Sequence, residues 1–118
     1  MDDLVKTLKE ELGKIPKSVL EKINNFAIEN NRKRDLKIQA VYFHPNHDSG
    51  QGMIYFITEP HEYLDELEDE VINLDLDITR TDNISLDVME WPCGYDGIED
   101  QGFFKELCLF DYVKGRAA

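Results

Sequence analysis

The chain has three histidines and two cysteines, which are side chains that could act as metal ligands, general bases or nucleophiles. A metal site would require His44, His47 and Asp48, with His61, to converge on one ion at about 2.0–2.2 Å. An enzyme would instead pair His47 as general base with Cys93 or with a nearby carboxylate such as Asp48. The histidine segment is also rich in the Pro, Asn, Asp and Gly of an ordinary hairpin loop. We therefore expect these residues to be structural, with no catalytic site, metal or cofactor.

The two cysteines, Cys93 and Cys108, are fifteen residues apart, a spacing that matches no zinc or redox motif. Cys93 lies in the segment WPCGYDG and lacks the flanking signature of a nucleophilic turn. We expect both thiols to be free. The same segment predicts a glycine-punctuated loop that presents Trp91 and Tyr95, and aromatic side chains held by a rigid loop are favoured at protein interfaces.

A run of carboxylates is the most distinctive chemical feature of the chain. Residues 59–77 contain nine Asp and Glu and no Lys or Arg, and residues 38–104 contain sixteen acids with Arg80 as their single base. Helices of soluble proteins normally include basic residues that relieve such repulsion, so an unrelieved run suggests a cationic partner. Calcium is disfavoured because the Asp-x-Asp-x-Asp-Gly loop is absent. The partner-binding residues that we predict here are Glu62, Asp65, Glu66, Asp69, Asp75 and Asp77.

The distribution of charge along the chain indicates what kind of partner it could bind. The chain has 118 residues and a formal net charge of -12. Residues 1–38 hold nine Lys and Arg against seven Asp and Glu, whereas residues 39–118 hold four against eighteen. Such an acidic surface repels nucleic acid and anionic membranes and accelerates encounter with a basic protein. Solubility alone is the alternative explanation of the charge.

Hydrophobic periodicity in the first half predicts two helices and a hairpin. Leucines at every fourth position predict a helix at about 3–12, and a second apolar stripe predicts a helix that begins at Pro16 and ends near Asn30. The segments 36–43 and 53–58 are rich in β-branched and aromatic residues and predict two strands joined by a polar loop. The carboxylate run then predicts a third helix, with Pro60 in its first turn and Val71 near its end.

The second half predicts two more strands and a last helix. From Ile72 apolar and polar residues alternate, which indicates a half-buried strand to Thr79, and residues 84–88 alternate in the same way. Residues 91–97 predict a loop. Residues 103–112 fit an amphipathic helix, although an edge strand over residues 107–113 is the alternative.

These elements predict an α+β fold in the order ααββαββα, with an antiparallel sheet of about four strands packed by helices. The length of 118 residues suits a single domain over residues 1–118. The N-terminal residues show no apolar run of a signal peptide, and no segment has the length of a membrane span. We expect a cytoplasmic protein.

In size, charge asymmetry and lack of a catalytic signature, the chain resembles the small acidic immunity proteins of bacterial polymorphic and contact-dependent toxin systems. That resemblance implies an acidic inhibitor that binds a basic, nuclease-like toxin domain and occludes its active site, and it transfers no site residue. Two other classes remain open. One is a DNA mimic that targets a DNA-binding protein, and the other is a small metal- or thiol-dependent enzyme centred on the histidine segment.

Overall fold

A computed structural model of the chain describes residues 2–45 and 52–117. Within these residues the main elements are three helices and five strands, the last of them only two residues long. They follow the order α1 (Asp2–Gly13), α2 (Lys17–Lys33), β1 (Ala40–His44), β2 (Gly52–Ile57), α3 (Asp65–Thr81), β3 (Leu86–Trp91), β4 (Cys108–Asp111) and β5 (Arg116–Ala117). Three short 3-10 turns connect β3 to β4.

The strands form one mixed sheet in the order β3-β2-β1-β4-β5. β1 and β2 are an antiparallel pair, and β4 lies antiparallel on the other side of β1. β3 runs parallel to β2, with Gly52 opposite Leu86 and Ile57 opposite Trp91. A parallel neighbour requires a crossover connection, which α3 supplies. The sheet is therefore mixed, and the prediction of an antiparallel sheet is wrong at this pair.

Each face of the sheet is covered by a different part of the chain. On one face, side chains such as Val41, Phe43 and Phe56 pack with apolar residues of all three helices in the larger core. On the other face, Ala40, Tyr42 and Ile57 pack with residues of the segment 91–108 in a smaller, aromatic core. We call these the helical face and the aromatic face. Because neither face is left open, the central strands are apolar at nearly every position, as the sequence suggests.

The helical part of the carboxylate run is longer than the sequence predicts, and it begins later. α3 begins at Asp65 rather than at Pro60 and continues to Thr81, so the strand predicted from Ile72 to Thr79 is wrong. Apolar and polar residues do alternate from Ile72 onward, but the same segment also contains apolar residues at helical spacing. The residues Leu67, Val71, Leu74 and Ile78 recur at intervals of four, three and four and pack into the larger core.

The last predicted helix is also wrong. Residues Lys105–Leu107 form a single 3-10 turn, and Cys108–Asp111 form the strand β4, which was the alternative interpretation. β4 lies between β1 and the short β5, and its residues Leu109, Phe110 and Asp111 are all buried. A run buried at successive positions lacks the period of two that reveals a half-exposed strand, so it can pass for a helix. The predicted α+β class and approximate element order agree with the structure.

Candidate functional site

The outward face of α3 carries a line of acidic and apolar side chains. Asp65, Asp69, Ile72 and Leu76 follow one another at intervals of four, three and four, so they lie on one side of the helix. Both carboxylates are exposed, and 47% of Ile72 and 38% of Leu76 are exposed as well. We call these four residues the outer stripe. Two aliphatic side chains therefore lie beside two exposed carboxylates on the side of α3 that faces away from the core.

Basic residues of α2, together with Arg34 directly after it, neutralise part of the carboxylate run. Glu70 accepts hydrogen bonds from Arg34 and from Lys33, whose Nζ lies 2.6 Å away. Asp77 lies 2.8 Å from the ammonium of Lys22, which lowers the pKa of the Asp77 carboxyl. The charge relief that is missing from the sequence of the run itself therefore comes from another helix. For Glu70 and Asp77 an external cation is not needed.

Two further parts of the run have structural roles. The Oδ1 atom of Asp75 accepts a hydrogen bond of 2.9 Å from the backbone N–H of Val88 on the edge strand β3. Asp65, Glu66 and Glu68 occupy the first turn of α3, where negative charge stabilises the helix macrodipole. Of the six predicted carboxylates, Asp75 and Asp77 thus have hydrogen-bond partners inside the chain, and the exposed Glu66 lies 4.0 Å from the guanidinium of Arg34. The exposed members that remain are Glu62, Asp65, Glu66 and Asp69.

The segment before α3 is fixed by a polar cluster. Glu90 accepts a hydrogen bond of 2.5 Å from the buried hydroxyl of Thr58 and forms an ion pair with His61. Burial disfavours the charged imidazole, but the bonds to Glu90 and to the carbonyl of Glu62 outweigh it and raise the pKa of His61. The neighbouring Tyr63 is 73% exposed. This cluster, which sequence reasoning missed, holds Glu62 and Tyr63 at the surface close to the start of α3.

Of the histidines that the structure describes, His44 and His61 do not assemble into the predicted metal site. His44 ends β1, is exposed, and makes an edge contact with the ring of Tyr55 at 6.5 Å. His61 pairs with Glu90 instead. His47 and Asp48 lie outside the described residues. Among the residues that are described, no group of three or more His, Cys, Asp and Glu could hold a metal ion.

Both cysteines are free, as the sequence predicts. The Cys93 thiol donates to the carbonyl of Gly94 at 3.4 Å, and burial raises its pKa. A raised pKa reduces the fraction of thiolate, which is the nucleophilic form. Cys108 is half-buried in β4 and donates to the carbonyl of Phe110 at 3.3 Å. The environment of Cys93 therefore does not favour the nucleophilic thiolate.

Trp91 and Tyr95 belong to the aromatic face, on the other side of the sheet from α3. Trp91 ends β3, where it contacts Tyr55 at 5.5 Å and donates from Nε1 to Gln101 at 3.1 Å. The hydroxyl of Tyr95 donates to Asp111 at 2.8 Å. Both side chains are half-buried and cover the sheet. The structure therefore does not bring them together with the carboxylates of α3 into one surface.

The aromatic face contains a cavity of about 360 Å³. Tyr42, Tyr95 and Phe103 contribute to its walls, and the buried Asp111 contributes a carboxylate. We call it the aromatic pocket. Sequence reasoning missed it because residues 103–112 were predicted to form a helix, whereas Cys108–Asp111 form a strand whose Asp111 accepts the hydrogen bond from Tyr95. The strand alternative was the one signal that could have revealed it.

Comparison with known proteins identifies no relative of this chain. No family model, no curated protein and no solved structure matches it. No helix in the described residues is long and apolar enough to cross a membrane. Functional inference therefore depends on the surfaces described above.

Proposed function

We propose that this chain is an acidic protein-binding inhibitor that neutralises a basic protein through the outer face of α3. The observation that carries the proposal is the outer stripe, in which the exposed Ile72 and Leu76 continue the line of Asp65 and Asp69. Exposed aliphatic side chains that adjoin a charged field are typical of a protein-binding surface.

The two kinds of side chain would act at different steps of binding. The carboxylates of Glu62, Asp65, Glu66 and Asp69 attract a cationic surface over several ångströms and accelerate encounter. The aliphatic side chains, together with Tyr63, exclude water once the surfaces meet and so slow dissociation. Acidic residues alone would give a fast but short-lived complex.

The nature of the basic partner follows from the resemblance to immunity proteins. We propose that the partner is a cognate nuclease-like toxin domain that is met in the cytoplasm. A site that binds phosphates is lined with Lys and Arg, so an acidic helix can enter it and exclude the substrate. In this mechanism the inhibitor performs no chemistry and requires no cofactor.

The test is capture from a lysate of the native host with immobilised chain. The double variant Ile72→Gln, Leu76→Gln removes the apolar part of the outer stripe and keeps every charge. Tyr112→Gln, Val113→Gln is the matched control, because these residues are exposed apolar side chains outside α3, at 46% and 54%. We expect a basic protein that wild type and the control retain and that the stripe variant releases at least tenfold faster.

The captured protein then decides among the classes. A basic nuclease whose activity falls in the presence of this chain supports the toxin inhibitor. A DNA-binding regulator released from its DNA would support the DNA mimic instead. An acidic captured protein, or equal retention by the stripe variant and wild type, would contradict the proposed surface.

A further inference from the structure

The aromatic pocket has a buried anion at its base. Asp111 is only 3% exposed, and its two carboxylate oxygens accept hydrogen bonds from neutral donors. These are the hydroxyl of Tyr95 at 2.8 Å and the backbone N–H of Lys114 at 2.9 Å. Among the side chains that the structure describes, Asp111 forms no ion pair. A carboxylate offers about four acceptor positions, so two remain for a ligand.

The walls suit a cation. The rings of Tyr42 and Phe103 lie 5.3 Å apart and are tilted by 33°. Together with Tyr95 they present aromatic surface to a cavity of about 360 Å³. A guanidinium or ammonium group near such rings gains cation–π attraction, and this gain increases when water is excluded. The cavity could accommodate one such group with a short aliphatic stem.

The charges around the cavity favour the same sign of ligand. Asp96 and Glu99 join Asp111 in its lining, against the exposed Lys105 and Lys114. The lysines stand on long, solvated side chains that can turn away, whereas the carboxylate of Asp111 is fixed by its two hydrogen bonds. An anion that entered the cavity would therefore meet a buried negative charge.

We propose that the aromatic pocket is a binding site for a single guanidinium or ammonium group. Asp111 would provide the charge-assisted hydrogen bonds, and the three rings would surround the stem and the cation. The hydroxyl of Tyr42 stays neutral because burial, with the nearby Cys108, raises its pKa well above the ordinary value. It can therefore act as a donor or an acceptor at the wall without adding charge.

This site is independent of the proposed function, because it lies on the aromatic face and the outer stripe belongs to a helix on the helical face. The cation could come from a small free amine or from an Arg or Lys side chain of a protein. Both sources share one chemistry, and the experiment below distinguishes them without any knowledge of a partner.

The test is a titration followed by nuclear magnetic resonance of the aromatic side chains. The probes are agmatine, a blocked Gly-Arg-Gly peptide, and the same peptide with neutral citrulline in place of arginine. We expect saturable shifts of the Tyr42, Tyr95 and Phe103 resonances with the first two probes and none with citrulline. Tighter binding of the peptide indicates a protein side chain as the source, and tighter binding of agmatine indicates a free amine.

Three variants test the roles of the named groups. Asp111→Asn preserves shape and should weaken binding by about tenfold or more, since a hydrogen bond to a charged group contributes about 1.5–3 kcal/mol. Phe103→Leu removes one wall and should weaken binding even if Asp111→Asn folds poorly. Lys105→Gln should tighten binding.

The opposite pattern would overturn the proposal. Equal shifts with arginine and citrulline would show that charge is irrelevant. Saturable binding of inorganic phosphate that is lost in Lys105→Gln would identify an anion site. Arginine shifts that survive both Asp111→Asn and Phe103→Leu would place the cation elsewhere on the acidic surface.

Discussion

At the scale of single residues, the pair His61–Glu90 makes stability depend on pH. The pKa of His61 is raised above its ordinary value of 6.5. A raised folded-state pKa means that the ion pair stabilises the fold fully below pH 6.5 and that this contribution is lost as the pH rises through the folded pKa. The same carboxylate satisfies the buried hydroxyl of Thr58. The Glu90 carboxylate therefore has one partner whose charge depends on pH, His61, and one partner that stays neutral, Thr58.

We predict that Glu90→Gln lowers the free energy of unfolding by about 1.5–3 kcal/mol below pH 6.5, the range of a hydrogen bond to a charged group. The difference from wild type should shrink towards the Thr58 contribution as the pH rises above 6.5. Urea unfolding at several pH values measures it. Glu106→Gln, an exposed acid of the segment before β4, is the control and should follow wild type throughout. A Glu90→Gln effect that grows with pH would reverse the assigned sign.

The two thiols should be dispensable for folding. Cys93 and Cys108 are free and half-buried, and each donates to a nearby backbone carbonyl. A serine hydroxyl can donate to the same acceptors. The double variant Cys93→Ser, Cys108→Ser should keep its thermal midpoint within a few degrees of wild type, with and without reductant. Failure of wild type to fold in reductant would indicate a disulfide and contradict this prediction.

At the scale of elements, the helical continuation of α3 past Ile72 gives a sharp prediction. In a strand, Ile72 and Ile78 would face the same side, whereas in α3 Ile78 is fully buried and Ile72 is 47% exposed. Ile78→Ala should therefore cost about 2–5 kcal/mol by loss of buried methyl groups, and Ile72→Ala should cost less than about 1 kcal/mol. Urea unfolding of the two variants compares identical chemical changes. Equal costs would contradict the helical assignment.

The same helix shows how much of the fold the sequence can predict. Leu4, Leu8 and Leu12 repeat at a helical interval without a competing pattern, and the first helix is found where it is predicted. In α3 an alternating pattern and a helical pattern share Leu74 and Ile78, so local periodicity cannot choose between them. The choice depends on packing against the sheet, which creates the parallel β2–β3 pair. A short window of sequence contains no information about strand pairing between distant segments such as β2 and β3.

The sequence predicts which acidic residues belong to the candidate site on α3, but not which of them have partners elsewhere in the fold. Counting charges identifies the acidic face, yet it cannot show that Lys22 of α2 lies against Asp77, fifty-five positions away. Nor can it show that the carboxylate of Asp75 binds the backbone of β3. Those contacts reduce the exposed group to Glu62, Asp65, Glu66 and Asp69. The apolar part of the outer stripe was hidden because Ile72 and Leu76 read as core residues of a strand.

At the scale of the whole molecule, the sheet separates two surfaces of different character. The helical face is covered in part by α3, whose outer side carries acids and exposed aliphatic side chains. The aromatic face has partly buried rings around a cavity that contains a buried carboxylate. The net charge of -12 favours cations at both. A long-range field can attract a partner to the first surface, while the second selects by size and by hydrogen bonding.

The last prediction separates the position of the charges from their number. The triple variant Asp65→Asn, Glu66→Gln, Asp69→Asn removes three charges from α3. The triple variant Asp87→Asn, Asp100→Asn, Glu106→Gln removes three from exposed sites outside that helix. The two have the same net charge. We expect the α3 variant to associate with the captured partner about tenfold more slowly at low salt, and the control to lose much less.

Salt and stability provide the remaining readouts for this pair of variants. The difference in association rate should shrink towards physiological ionic strength, where charges are screened over roughly 8 Å. Removing acids from the first turn of α3 weakens the macrodipole interaction but also relieves repulsion, so the free energy of unfolding should change by less than about 1 kcal/mol. Dissociation rates should stay close to wild type unless one of the three carboxylates is buried against a cation of the partner. Equal slowing of both variants would mean that total charge, rather than the outer face of α3, attracts the partner.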